Sequence, residues 1–143
     1  MLFRSVPVCA PEGGVDFEET PDRWYRAGER LPAGLVAVHA PGPTEAHYAF
    51  HTDRGGGVVL CADLLTNQEG AGLAFVPDEY QDEPGRTRES VRRLLDLDFT
   101  ILCTNHGDPI PHGAKEAIRQ LLDRDRKGGR SPGKKATVKS KKK

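Results

Sequence analysis

The sequence predicts an α/β domain of the α+β type: a mostly antiparallel sheet carrying about two main helices on one face. The first observation behind this is a series of short apolar runs, Leu35 to His39, His47 to His51 and Val58 to Ala62, separated by a Pro-Gly-Pro loop and a Gly triplet. Such spacing reads as an antiparallel meander, and the glycines of Gly55 to Gly57 supply the positive φ angles that a tight turn needs. The second is helical periodicity: Val91, Leu94 and Leu95 recur at i, i+3 and i+4, and Ala117, Ile118, Leu121 and Leu122 mark a second stripe. The third is Phe99 to Cys103, a continuous apolar run between the two stripes that reads as a buried strand.

Taken in order, Leu2 to Cys9 has enough apolar and β-branched residues for one strand. Ala10 to Trp24 is rich in Pro, Gly and acid and reads as a loop, with Trp24 and Tyr25 pinning it, Trp24 as a core anchor or lid contact. After the meander, Thr66 to Arg88 reads as a long polar loop with one apolar island, Leu73 to Val76. Loops of this size often form active-site walls or contact surfaces. Thr87 is the expected N-cap of the first helix, and the last helix ends near Asp125. No internal repeat is present.

The length of 143 residues is one domain's worth. A net charge of zero hides an asymmetry, since nine of the 21 Lys and Arg lie between Arg126 and Lys143 while all 21 acidic residues lie at or before Asp125. Residues 1–125 are the expected domain, with 12 basic against 21 acidic side chains, a net −9. That argues against nucleic-acid binding by the folded part, because a phosphate-binding face needs clustered base. Residues 126–143 are expected to be a disordered basic tail, either solubilising or making weak polyanion contacts. Three cysteines, Cys9, Cys61 and Cys103, are an odd number, and two of them sit inside apolar runs, which fits a reduced, cytoplasmic chain. No secretory signal pattern is visible, and no apolar run approaches the roughly 18 residues of a membrane helix.

The chemistry-bearing residues lie at strand ends. Phe99 to Leu122 delivers His106 into a tight Asn-His-Gly-Asp-Pro loop that leads to a helix, and Val58 to Leu65 delivers Asp63 in the same way. Metal sites need ligands converging from separate elements on one rigid edge, so Asp63 and His106 are the candidate catalytic and metal-binding residues, with His47 as a third candidate ligand. Each also has a structural reading: Asp63 capping the turn after its strand, His106 satisfying backbone groups of its loop. Cys61 and Cys103 read as alternating strand positions in the core, with thiolate ligation of a metal shifted inward as their other reading, His112 reads as exposed, and His39 and His51 show no partner in the sequence.

The order of pieces, APGPTEAHYAF, then a hairpin and VVLCADLL, then a helix, then ILCTNHGDPIPHGAKEAI, resembles the second half of the metallo-β-lactamase-fold hydrolases. That family includes hydroxyacylglutathione-hydrolase-like enzymes. The family pattern runs Pro-Gly-His-Thr-Pro-Gly, a strand ending in Gly-Asp and a strand ending in Gly-His-Gly, whose His, Asp and His bind zinc. The resemblance puts Asp63 on the bridging aspartate and His106 on the last histidine. Pro41, Gly42 and Thr44 match, but Pro43 stands where the ligand histidine would be. The family's principal motif, His-x-His-x-Asp-His, belongs to the first half of the fold and has no counterpart here; His51 to Asp53 is only a His-x-Asp. The resemblance covers about Val6 to Arg124 and implies a partial fold of that kind, zinc as cofactor, and zinc-hydroxide hydrolysis of an ester, thioester or lactam in a small-molecule substrate. Two retained ligand positions fall short of the three protein ligands of a catalytic zinc site, so activity in this chain is expected to be reduced or lost. A non-catalytic scaffold acting in assembly or binding is the alternative, and a basic-tailed nucleic-acid accessory protein the second. A half-fold exposes a sheet face and strand edges, so a homodimer or a partner chain is also expected.

Overall fold

The computed structural model describes residues 7–14 and 20–129. Most of the strand expected over Leu2 to Cys9 and most of the expected basic tail, from Arg130 onward, lie outside the described residues. Two short strands, β1 (Cys9–Pro11) and β2 (Arg23–Tyr25), pair in parallel at the start. The meander follows as β3 (Val36–His39), β4 (Tyr48–Thr52) and β5 (Val58–Leu60), all antiparallel. Within the turn to β5 only glycine fits at Gly57: φ is 97°, and a Cβ would lie 2.5 Å from Phe99 Cα.

The expected long loop is structured. A hairpin of β6 (Leu65–Gln68) and β7 (Gly72–Phe75) occupies its first part, and β7 is the apolar island the sequence displayed. Helix α1 (Pro84–Leu94) begins earlier than the expected Thr87 cap, because Pro84 supplies a pre-set φ in the first turn. Thr87 lies buried inside the helix, and its hydroxyl donates to the Gln81 side-chain carbonyl. Strand β8 (Ile101–Cys103) then pairs in parallel with β5, completing a four-stranded sheet of order β3-β4-β5-β8, and α2 (Ala114–Arg124) follows. The α-helix ends at Arg124, beside the expected end near Asp125, and a π-helical turn, Asp125–Gly129, follows it, with Arg126 and Lys127 paired to Asp123 at 2.7 and 3.2 Å.

Strand alternation divides the core. Ala49, Val59 and Leu102 face the helices and pack with Val91, Leu94, Ile118 and Leu121. On the other face Tyr25 and Leu31 cover Ala37, Tyr48 and Phe50, with the Tyr25 ring edge-on to Tyr48 at 5.1 Å and to Phe50 at 5.7 Å. Tyr25 is therefore the anchor of the first segment, whereas Trp24 is 42% exposed and not in the core. Both edges of the sheet are occupied. Glu29 accepts from the Ala37 amide at 2.9 Å, and Leu102 exchanges backbone bonds of 3.0 and 2.8 Å with Ile110. Among the described residues no helix is long and apolar enough to cross a membrane.

Candidate functional site

Three loops meet beyond the ends of β5 and β8. After β5 the chain makes one tight turn, Ala62–Leu64, which Ala62 enters in the left-handed region at φ 53°. This turns the Asp63 side chain outward while Leu64 is buried. After β8, Thr104 to Gly107 form the second loop. Its backbone is held from several sides: the Asn105 amide donates to Ala62 carbonyl at 3.4 Å, and the His106 carbonyl accepts from the Thr104 hydroxyl at 2.8 Å and the Asn67 amide at 2.9 Å. Gly107 is glycine because its φ is 101° and a Cβ would collide with the Asn67 carbonyl. The third loop, Pro41 to Thr44, is clamped on α1 by the Ser90 hydroxyl donating to the Pro41 carbonyl at 2.7 Å and by the Glu83 amide donating to Gly42 at 2.8 Å. Gly42 lies so close to Thr87 that a Cβ would stand 2.5 Å from the Thr87 Cα.

Together these loops and the segment after β7 enclose a cavity of about 520 Å³ lined by Pro43, Thr44, Asp63, Thr66, Gln68, Val76, Pro77, Tyr80, Gln81 and His106. Asp63 and His106, both exposed, share this cavity with Pro43. One Asp63 oxygen accepts from the Asn105 amide side chain at 2.9 Å. Tyr80, 71% exposed, belongs to the same lining, and Gln81 beside it in sequence is fixed by donating to the Val76 carbonyl at 2.6 Å. These wall residues come from the stretch read as a loop; its length was the only sequence signal for them.

His47 lies apart from the cavity lining. It is buried, its Nδ1 is 2.8 Å from the Ala40 carbonyl, and its Nε2 accepts from the Asp63 backbone amide at 3.0 Å. Both ring nitrogens are thus engaged with backbone, and neither presents a lone pair to the cavity. Burial holds its pKa below the ordinary value of 6.5, against the opposing pull of the Ala40 carbonyl and the Asp63 carboxylate. Burial pushes the Cys61 thiol up to about 12, so no thiolate forms there near neutral pH. The two histidines without a visible sequence partner have one in the fold: His39 Nε2 is 2.7 Å from the Glu45 carbonyl and His51 Nε2 is 2.7 Å from the Asp98 carbonyl. His112 is exposed.

A resident zinc ion does not fit these residues as a closed site. Among the described residues no group of three or more His, Cys, Asp or Glu is arranged to hold a metal ion. Asp63 and His106 offer two donors, Pro43 has none, and a catalytic zinc needs three from protein.

No protein-family model and no curated protein matches the sequence. Solved structures do. A metallo-β-lactamase family protein of Thermus thermophilus superimposes with a TM-score of 0.57 at 25% identity, over 76% of this chain and 36% of that one. An archaeal metallo-β-lactamase superfamily protein of Sulfolobus tokodaii gives a TM-score of 0.61 at 14% identity, over 90% of this chain and 48% of that one. A third, solved in a di-iron-bound form, gives 0.51 at 24% identity, over 78% and 49%. The chain spans about a third to a half of the length of the structures it matches, and it has a partial metallo-β-lactamase fold.

Proposed function

We propose that the chain is a metallo-β-lactamase-superfamily hydrolase scaffold that carries only part of a metal centre, Asp63 and His106, so that hydrolysis by this chain alone is reduced or lost. The observation that carries the reading is the convergence of Asp63, His106 and the substituted position Pro43 on one cavity large enough for a small-molecule substrate. A similar structure with two iron ions supports metal as the associated chemistry, and zinc is the ion the sequence resemblance implies. The missing donors would come from a second copy or a partner chain, although both sheet edges are already covered within this chain. Three free cysteines, one of them buried, support a reducing, cytoplasmic setting.

The test is elemental analysis after dialysis against a mild chelator, together with assays on generic ester, thioester and lactam substrates. We expect less than one tightly held zinc per chain and little or no turnover. Any weak zinc binding should disappear in Asp63→Ala and in His106→Ala and persist in His112→Ala. Close to two zinc ions per chain after dialysis would overturn the proposal.

A further inference from the structure

We propose that His47 is a positioning residue for Asp63: a buried neutral imidazole, protonated on Nδ1, that ties the cavity loop bearing Pro43 and Thr44 to the turn that presents the Asp63 carboxylate. The assignment of the proton follows from the partners. The Ala40 carbonyl, 2.8 Å from Nδ1, only accepts, so Nδ1 carries the hydrogen. Nε2 is then a bare lone pair, and the Asp63 amide, 3.0 Å away, donates to it. The ring is buried, so water does not compete for either bond.

The geometry points to positioning because the two bonded backbones belong to different cavity walls. Ala40 leads directly into the Pro41 to Thr44 loop, while Asp63 lies in the turn after β5, 16 residues from His47. Two further constraints act on the same residue: the Asn105 side-chain amide on one carboxylate oxygen and the left-handed backbone of Ala62 immediately before it. Backbone and side chain of Asp63 are thus each held by a separate partner, which is the support a binding carboxylate needs. The inference rests on the reading of Asp63 and His106 as binding groups, and its test separates the two.

In the metal-free wild-type chain, ¹⁵N NMR of the His47 ring should show Nδ1 protonated and Nε2 bare. The order of the Asp63 amide, from ¹⁵N relaxation, should fall in His47→Ala and be restored in His47→Gln, whose side chain keeps one acceptor and one donor. A protonated Nε2, an Asp63 amide equally ordered in all three proteins, or losses spread evenly over the sheet that glutamine does not rescue would each overturn the proposal. Should wild type bind no zinc at all, the metal reading fails while ring protonation and amide order still decide this one. If His47→Ala does not fold, the wild-type tautomer and the glutamine variant decide it.

Discussion

At the scale of the residue, position 47 shows how one side chain comes to depend on solution conditions. A histidine buried in the neutral form has a folded-state pKa below its unfolded value of about 6.5, so below that pH the unfolded chain binds the proton more readily. Stability from this group is therefore fully present above about pH 6.5 and is lost as the pH falls toward the folded pKa. The thermal midpoint should drop as the pH falls below about 6.5, and His47→Gln should remove that part of the slope. Superimposable pH profiles for the two proteins would show that His47 is not the group responsible. Position 62 carries a cost of another kind. Its left-handed backbone at φ 53° is expensive for any residue with a Cβ, by roughly 1–2 kcal/mol, and it is sustained because the Cys61 amide bonds to Cys103 on one side and Asn105 bonds to Ala62 on the other.

At the scale of the element, the parts legible in the sequence were those whose burial pattern is local. The stripes of α1 and α2 and the apolar runs of β4, β5 and β8 declare their inner face by spacing alone. The β6–β7 hairpin does not, because Thr66, Asn67 and Gln68 are polar and the strand is fixed from outside: Asn67 bonds to the His106 carbonyl and, through its side chain, to the Asp108 carbonyl at 2.7 Å. Asp63 and His106 were visible as strand-end residues, but the role of His47 depends on a contact only the fold creates. The same holds for Arg88, which joins four elements that the sequence lists separately. Its guanidinium lies 3.9 Å over the Phe75 ring of β7, bonds both oxygens of Asp125 beyond α2 at 3.0 and 3.2 Å, and reaches Asp78 at 3.2 Å. With the side chain only 9% exposed, truncation leaves Asp125 half-buried and unpaired. Arg88→Met should cost about 2–4 kcal/mol in chemical denaturation, and Arg88→Lys should recover little, since lysine reproduces neither the paired contact nor the stacking. A loss below about 1 kcal/mol would mean the cluster contributes little to stability.

At the scale of the whole molecule, charge is the property that local reading captured and the fold does not redistribute. Seven of the 21 Lys and Arg lie from Arg130 onward, leaving residues 1–129 with 14 basic against 21 acidic side chains, a net −7. Arg126 and Lys127 already spend their charge on Asp123 at the end of the last helix, and together they hold its pKa below the usual carboxylate range. Any affinity for polyanions must therefore come chiefly from the seven later cations, acting against an acidic body. Attraction of that kind is screened within about 8 Å at physiological ionic strength and falls steeply with added salt. The full chain should be retained weakly on a polyanionic column at low salt and released by modest salt, whereas a chain ending at Gly129 should not be retained at all. The same deletion should leave the thermal midpoint within about 1 °C, because the sequence from Arg130 onward has no apolar periodicity with which to pack on a core. Undiminished retention after deletion would locate the polyanion contact on the body, and a fall of several degrees would show that the basic segment packs against it.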